Sequence, residues 1–189
     1  MSTSKAIRLL RSIIQSRDCD AMNRSTVKGY LGELLVKERL EREGRNVLHL
    51  GNQSSVDLQF DYKGRTVSVD VKLSLLKQEF GPGISHWGWA LQHENKKRAI
   101  SATHFICVGC SETLEIDTLF IVRAGDVNAF PPGDGQFGKV KHGFVLPSGR
   151  ISPRAPVRAQ EAFKKGLALL RTGQIVRLRK NQSISAACG

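Results

Sequence analysis

Asp57, Asp70 and Lys72 place two carboxylates and an ammonium within one stretch, residues 55–74, SVDLQFDYKGRTVSVDVKLS. Read with period two, Val56, Leu58 and Phe60, then Val67, Val69, Val71 and Leu73, fall on one face of two strands. Ser55, Asp57, Gln59 and Asp61, then Ser68, Asp70, Lys72 and Ser74, fall on the other. A two-residue hairpin loop at Lys63-Gly64 pairs Phe60 with Val67, Leu58 with Val69 and Val56 with Val71. The same register sets Asp57 opposite Asp70. Carboxylates opposed across a strand pair repel, so a positive partner belongs between them, and a divalent cation is the natural one. Lys72 lies two residues past Asp70, on the same face and about 6–7 Å further along the strand.

The rest of the chain must position these groups. A helix capped by Ser25 or Thr26 and stopped by Gly44 precedes the hairpin, with Val27, Tyr30, Leu31, Leu34 and Leu35 as its buried stripe and Glu33 on the flank. Taken alone, Glu33 has a plainer reading, an ion pair with Lys37 one turn on. Before it, residues 5–17 read as a basic amphipathic helix, with Ala6, Leu9, Leu10, Ile13 and Ile14 on one side and Arg8, Arg11 and Gln15 on the other. A break at residues 18–24 separates the two. A short strand at 45–50 leads into the hairpin, a strand at 84–91 presents Trp87 and Trp89, and apolar β-branched runs at 103–109 and 119–122 supply two more. The tryptophans read as core or loop anchors. Residues 157–172 form a helix stopped by Gly173.

With 189 residues, 40% hydrophobic and 24% charged, the chain suits one globular domain with an appended element. Its net charge of +12 favours a polyanion as partner, nucleic acid or an anionic membrane surface. Residues 139–180 hold eleven basic residues against the single acid Glu161, a surplus of ten of those twelve charges. No apolar run approaches the roughly 20 residues that span a bilayer. Cys107 and Cys110 stand in the C-x-x-C spacing once, inside a strand-like run, and with Cys19 and Cys188 they read as thiols in a reducing cytosol. The five histidines show no metal-ligand spacing.

In chain order the groups are a helical Glu33, a strand Asp57 and Asp70-x-Lys72 on the next strand. That order resembles the PD-(D/E)XK nuclease superfamily, over roughly residues 28–127. GYLGELLVKERLEREG is similar to the family's first helix and SSVDLQFDYKGRTVSVDVKLS to its catalytic hairpin. The later strands are similar to those of small restriction-like and intron-homing endonucleases, and Lys28-Gly29, Gly32-Glu33 and Ser54-x-x-Asp57 also resemble archaeal Holliday junction resolvases. Val56 stands where the family has proline, which leaves the ligand intact.

The resemblance implies an α/β, restriction-endonuclease-like mixed β-sheet flanked by helices, and a Mg²⁺-dependent endonuclease that hydrolyses DNA phosphodiester bonds. Asp57 and Asp70 would bind Mg²⁺, which Mn²⁺ could replace, with the Val71 carbonyl as a further ligand. Lys72 would orient or help deprotonate the attacking water, and Glu33 would hold a bound water or a second ion. The expected organisation is a basic N-terminal helix in 1–24, the nuclease core in 25–130, a basic extension with a helix in 131–180 and a disordered tail in 181–189. DNA contact is expected at Lys96, Lys97, Arg98, Arg171, Arg177, Arg179 and Lys180, no membrane role is expected, and the active unit is expected to be a homodimer or higher homo-oligomer in the cytoplasm. Alternatives are a junction resolvase and a DNA-binding module that keeps the fold without cleaving.

Overall fold

The computed structural model describes residues 2–16, 21–51, 56–78, 80–81, 83–93, 101–130, 140–151, 153–179 and 181–189. Its elements, in order, are α1 (Thr3–Gln15), α2 (Ala21–Arg42), β1 (Val47–His49), β2 (Leu58–Tyr62), β3 (Arg65–Leu75), β4 (His86–His93), β5 (His104–Cys110), β6 (Ile116–Arg123), β7 (Val140–Pro147), α3 (Val157–Arg171), β8 (Ile175–Leu178) and α4 (Ile184–Ala187). Six strands form a mixed sheet in the order β1-β2-β3-β5-β6-β8, and β4 pairs with β7 in a second, two-stranded sheet.

The hairpin at the centre forms as its sequence pattern dictates. Lys63 and Gly64 take φ of 49° and 73°, the left-handed pair that a two-residue turn between twisted strands needs. Leu58 pairs with Val69 and Phe60 with Val67. Beyond Leu58 the expected ladder stops: Val56 does not pair with Val71, and Asp57 lies in a bend outside β2. β3 continues to Leu75 with β5 beside it in parallel, Asp70 next to Phe105 and Lys72 next to Cys107. The two strands of the hairpin therefore part at Asp57, leaving a notch beside Asp70 to Lys72.

Alternation along β5 and β6 fills two cores, and β3 contributes to the first. Val67, Val69 and Val71 join Leu31, Leu34, Leu35, Leu58 and Ile106 under α1 and α2. On the opposite face, Phe105, Cys107 and Phe120 pack with Trp87, Trp89, Phe144 and Leu169 under the β4–β7 sheet. Trp87 and Trp89 are buried, and their indole N–H groups donate to the carbonyls of Cys110 and Val108 at 3.0 and 3.1 Å. They are core residues that tie the second sheet to β5. A third cluster joins α3 to β7 through Phe163, Ala159 and Val145.

Several expectations need correction. α2 begins at Ala21, so Ser25 and Thr26 lie inside it and residues 21–24 of the expected break are helical, while residues 17–20 lie outside the described residues. On α1 it is Ile7, with Ala6 and Ile14, that is buried, whereas Leu9 and Ile13 are exposed, because the helix docks on α2 along a stripe rotated toward Ile7. The basic extension supplies two unforeseen strands, β7 and β8. Residues 181–189, expected to be disordered, form α4 and pack on the end of α2. Glu43 accepts hydrogen bonds from the Ser183 hydroxyl and from the backbone N–H groups of Ile184 and Ser185, at 2.8, 2.7 and 3.0 Å. Arg39 donates to the Gln182 carbonyl at 2.8 Å and Arg45 to the Ser185 hydroxyl at 3.1 Å. Among the described residues no helix is long and apolar enough to cross a membrane.

Candidate active site

Four side chains converge on the notch where β2 leaves β3, and each arrives for a separate local reason. Asp57 stands at the point where β2 begins, its backbone N–H bonded to the Val69 carbonyl and its carbonyl accepting from Leu50, both at 2.9 Å. Because the pairing of β2 with β3 ends at Leu58↔Val69, the N–H of Val71 lies beyond the last rung on that side. The Asp57 carboxylate supplies its partner, Oδ2 accepting from Val71 N at 2.7 Å. In a strand the N–H and C=O of one residue point to the same side, so the Val71 carbonyl also faces the notch.

Asp70 and Lys72 extend from β3 on the face shared with Phe105 and Cys107. The Lys72 ammonium is bonded to Asp70 Oδ1 and lies 6.0 Å from the centre of the Phe105 ring. Both side chains are largely buried, 31% exposed for Lys72 and 22% for Asp70, so the pair sits in a medium that screens charge poorly.

Glu33 comes from α2, and Gly32 permits its approach. A Cβ at position 32 would lie 2.9 Å from Leu73 Cβ and 3.4 Å from Val71 Cγ1, so the helix backbone rests directly on β3. Glu33 does not pair with Lys37, which bonds Glu41 instead. Its Oε2 lies 2.6 Å from Nε2 of His49 on β1.

The site carries excess negative charge. Burial pushes the Asp70 carboxyl up to about 6, and the neighbouring Asp57 adds to the shift against the opposing pull of Lys72. Burial likewise raises Asp57, with the charge of Glu33 acting in the same direction, while the Val71 N–H and Lys72 oppose it. Asp57 thus feels the charge of Glu33, and Asp70 that of Asp57, and among the described residues Lys72 is the ammonium that opposes both shifts. Among the described residues no group of three or more His, Cys, Asp and Glu donors is already gathered around an ion position. Each acid is engaged in place, Glu33 by His49, Asp57 by Val71 and Asp70 by Lys72. The donor chemistry still fits a hard, magnesium-type ion, which takes one or two carboxylates and keeps several waters.

The expected nucleic-acid contacts are not gathered here. Lys96, Lys97, Arg98 and Lys180 lie outside the described residues. Arg171 ends α3, Arg177 sits on β8 with its guanidinium 5.9 Å from the Phe120 ring centre, and the Arg179 carbonyl accepts from Arg39. β8 is the sheet edge remote from β1 and β2, so the strand that carries Arg177 is separated from the strand that carries Asp70 by β5 and β6. Cys107, Cys110 and Cys188 are buried free thiols, and burial pushes Cys110 and Cys188 to about 12, so neither is a reactive thiolate. Reading the sequence missed His49, although its spacing from Val47 puts it on the helix-facing side of β1.

Comparison with known proteins returned no matching family model and no matching curated protein. Among solved structures the chain is similar to the bacterial homing endonuclease I-Ssp6803I, with a TM-score of 0.45 and 20% identity over 78% of this chain and 97% of that one. An overlap this loose leaves the functional reading to rest on the residues of the notch.

Proposed function

We propose that this chain is a divalent-metal-dependent DNA endonuclease of the PD-(D/E)XK type. One observation carries the reading: a helix, a strand end and a neighbouring strand deliver Glu33, Asp57, Asp70 and Lys72 to a single notch. Asp57 and Asp70 would hold the cation, assisted by the Val71 carbonyl and by Glu33. When bound, such an ion polarises a phosphoryl oxygen and makes water a stronger acid.

The protein's own contribution is positional and electrostatic. Asp57 is clamped by the Val71 N–H, which fixes one ligand relative to the strand that bears the other. Lys72 lies at the mouth of the same notch, where its ammonium can orient an attacking water and offset charge that builds on the phosphate. Phe105 and Cys107 form an apolar floor beneath it, which lowers the local dielectric and strengthens each of these interactions.

The surplus of basic residues in 139–180 supports DNA as the polyanion, through contacts to phosphate that do not depend on sequence. The test is incubation with linear duplex, single-stranded, flap and four-way-junction DNA, with Mg²⁺, with Mn²⁺ and with excess EDTA. Cleavage of at least one substrate that stops in EDTA is expected, and the preferred substrate separates a junction resolvase from a restriction-type or homing enzyme. Undiminished cleavage in EDTA, or binding of every substrate with no cleavage in either metal, would overturn the reading, the second outcome in favour of a binding module.

A further inference from the structure

Beside the notch, the end of β1 makes two connections to it. Leu50 N donates to the Asp57 carbonyl at 2.9 Å, and one residue earlier His49 Nε2 lies 2.6 Å from Glu33 Oε2. A carboxylate has no hydrogen to give, so the imidazole nitrogen is the donor. The contact is sheltered, with 16% of the His49 side chain and 12% of the Glu33 side chain exposed. The imidazole is fixed in turn by the Tyr30 ring, 5.1 Å away between centres, and by the register that sets His49 opposite Leu58.

We propose that His49 is a positioning residue that holds Glu33 in the orientation a divalent cation requires, which deepens the metal-dependent reading and rests on it. A free glutamate has three side-chain torsions, and ordering them costs conformational entropy. The bond from Nε2 imposes that order before any ion arrives. A bond to Oε2 leaves Oε1 as a donor to the ion or to its water. Hard ions of this type demand near-ideal octahedral placement, so a loose third carboxylate is a poor ligand and an aimed one is a good ligand. Hydrogen-bond partners of ligating side chains generally set 10- to 100-fold in metal affinity.

The experiment is titration of Mn²⁺ into the full chain without DNA, read by the electron paramagnetic resonance of free Mn²⁺. The variants are H49A, H49F, H49Q, E33Q and the E33Q/H49A double variant, with D70N as the control for site occupancy. H49F keeps a ring against Tyr30 and lacks the donor, so it carries the test if H49A does not fold. The expected result is a loss of about 10- to 100-fold in Mn²⁺ affinity for H49A and H49F. H49Q, which retains an N–H donor, should recover most of it, and the double variant should bind no more weakly than E33Q alone. Wild-type affinity in H49F, or losses that add in the double variant, would show that His49 only packs the β1 end. A wild-type chain that binds no Mn²⁺, or binds it equally well as D70N, would overturn the metal-dependent reading together with this one.

Discussion

Replacing Asp70 with Asn isolates the electrostatic cost of the notch in the metal-free protein. Burial raises this carboxyl from 3.8 to about 6, and that value already includes the opposing pull of Lys72 and the push from Asp57. An acid raised by folding ionises more readily in the unfolded chain. Its contribution to stability is therefore intact below about pH 4, is lost progressively as pH rises toward 6, and stays lost above that. At about 1.4 kcal/mol per pH unit, the interval amounts to about 3 kcal/mol at pH 8. Asp70→Asn keeps the shape and removes the charge, so the variant in EDTA should be more stable than the wild type by about 1–3 kcal/mol at pH 8. For a chain of this size that is a rise of roughly 3–9 °C in Tm. The two proteins should melt together at pH 4, and saturating Mn²⁺ should raise the wild type alone. Differential scanning calorimetry at pH 4 and pH 8, with EDTA and with Mn²⁺, measures all of these. A variant less stable than the wild type at pH 8 in EDTA, or an equal gain at pH 4, would refute the claim that the site stores unbalanced charge.

Three further predictions concern other parts of the molecule. Lys72→Ala should retain DNA and Mn²⁺ binding while lowering single-turnover cleavage by roughly 10²- to 10⁴-fold; wild-type turnover would reduce Lys72 to the ion partner of Asp70. Neutralising Arg171, Arg177, Arg179 and Lys180 together should flatten the log-log dependence of DNA binding on salt by about 0.9 for each phosphate no longer neutralised, with turnover at saturating DNA unchanged; equal slopes would move the DNA-facing surface elsewhere. Glu43→Gln should destabilise the fold by about 1–2 kcal/mol at pH 7, since it weakens charged hydrogen bonds to Ser183, Ile184 and Ser185. Burial alone would raise the Glu43 carboxyl, but the backbone N–H groups of Ser185 and Ile184 and the serine hydroxyls outweigh it and hold the carboxyl below its ordinary 4.5. That stability is present above pH 4.5 and is lost on acidification, so the difference in Tm from wild type should close toward pH 3, and a variant that melts like the wild type at pH 7 would show that α4 is held by other contacts.

What the sequence made legible was whatever depends on local pattern. The period-two alternation and Lys63-Gly64 were sufficient for the register from Phe60 to Val69, and with it the approach of Asp57 to Asp70. The route of that approach was not legible. Ideal pairing would set the two carboxylates face to face, whereas Asp57 bends just beyond the last rung, keeps its N–H on the Val69 carbonyl and places its carboxylate on the Val71 N–H. A bend of that kind depends on β1 and α2 as well as on the hairpin. The same holds for Glu33, whose choice of His49 over Lys37 is decided by how closely Gly32 lets α2 approach β3. β8 is a four-residue strand inside a basic run and earns its place by pairing with β6, a partner more than fifty residues earlier. The tail misled for a related reason. Short polar residues with little apolar content resemble a frayed terminus until Glu43 and the two arginines of α2 and its end are seen to supply their partners.

The burial of both tryptophans has an optical consequence. The chain contains two, Trp87 and Trp89, and both belong to β4, on the face of the main sheet opposite α1 and α2. Intrinsic fluorescence excited at the red edge therefore reports the hydration of the β4–β7 layer and is silent about the helical side. Far-UV circular dichroism is weighted toward the helices, and α1 and α2, on the other face, hold 13 and 22 residues against 15 in α3. Superposed denaturation curves from the two methods would mean that the layers come apart as one cooperative unit, and curves that separate would give the order in which the two sides of the sheet are uncovered.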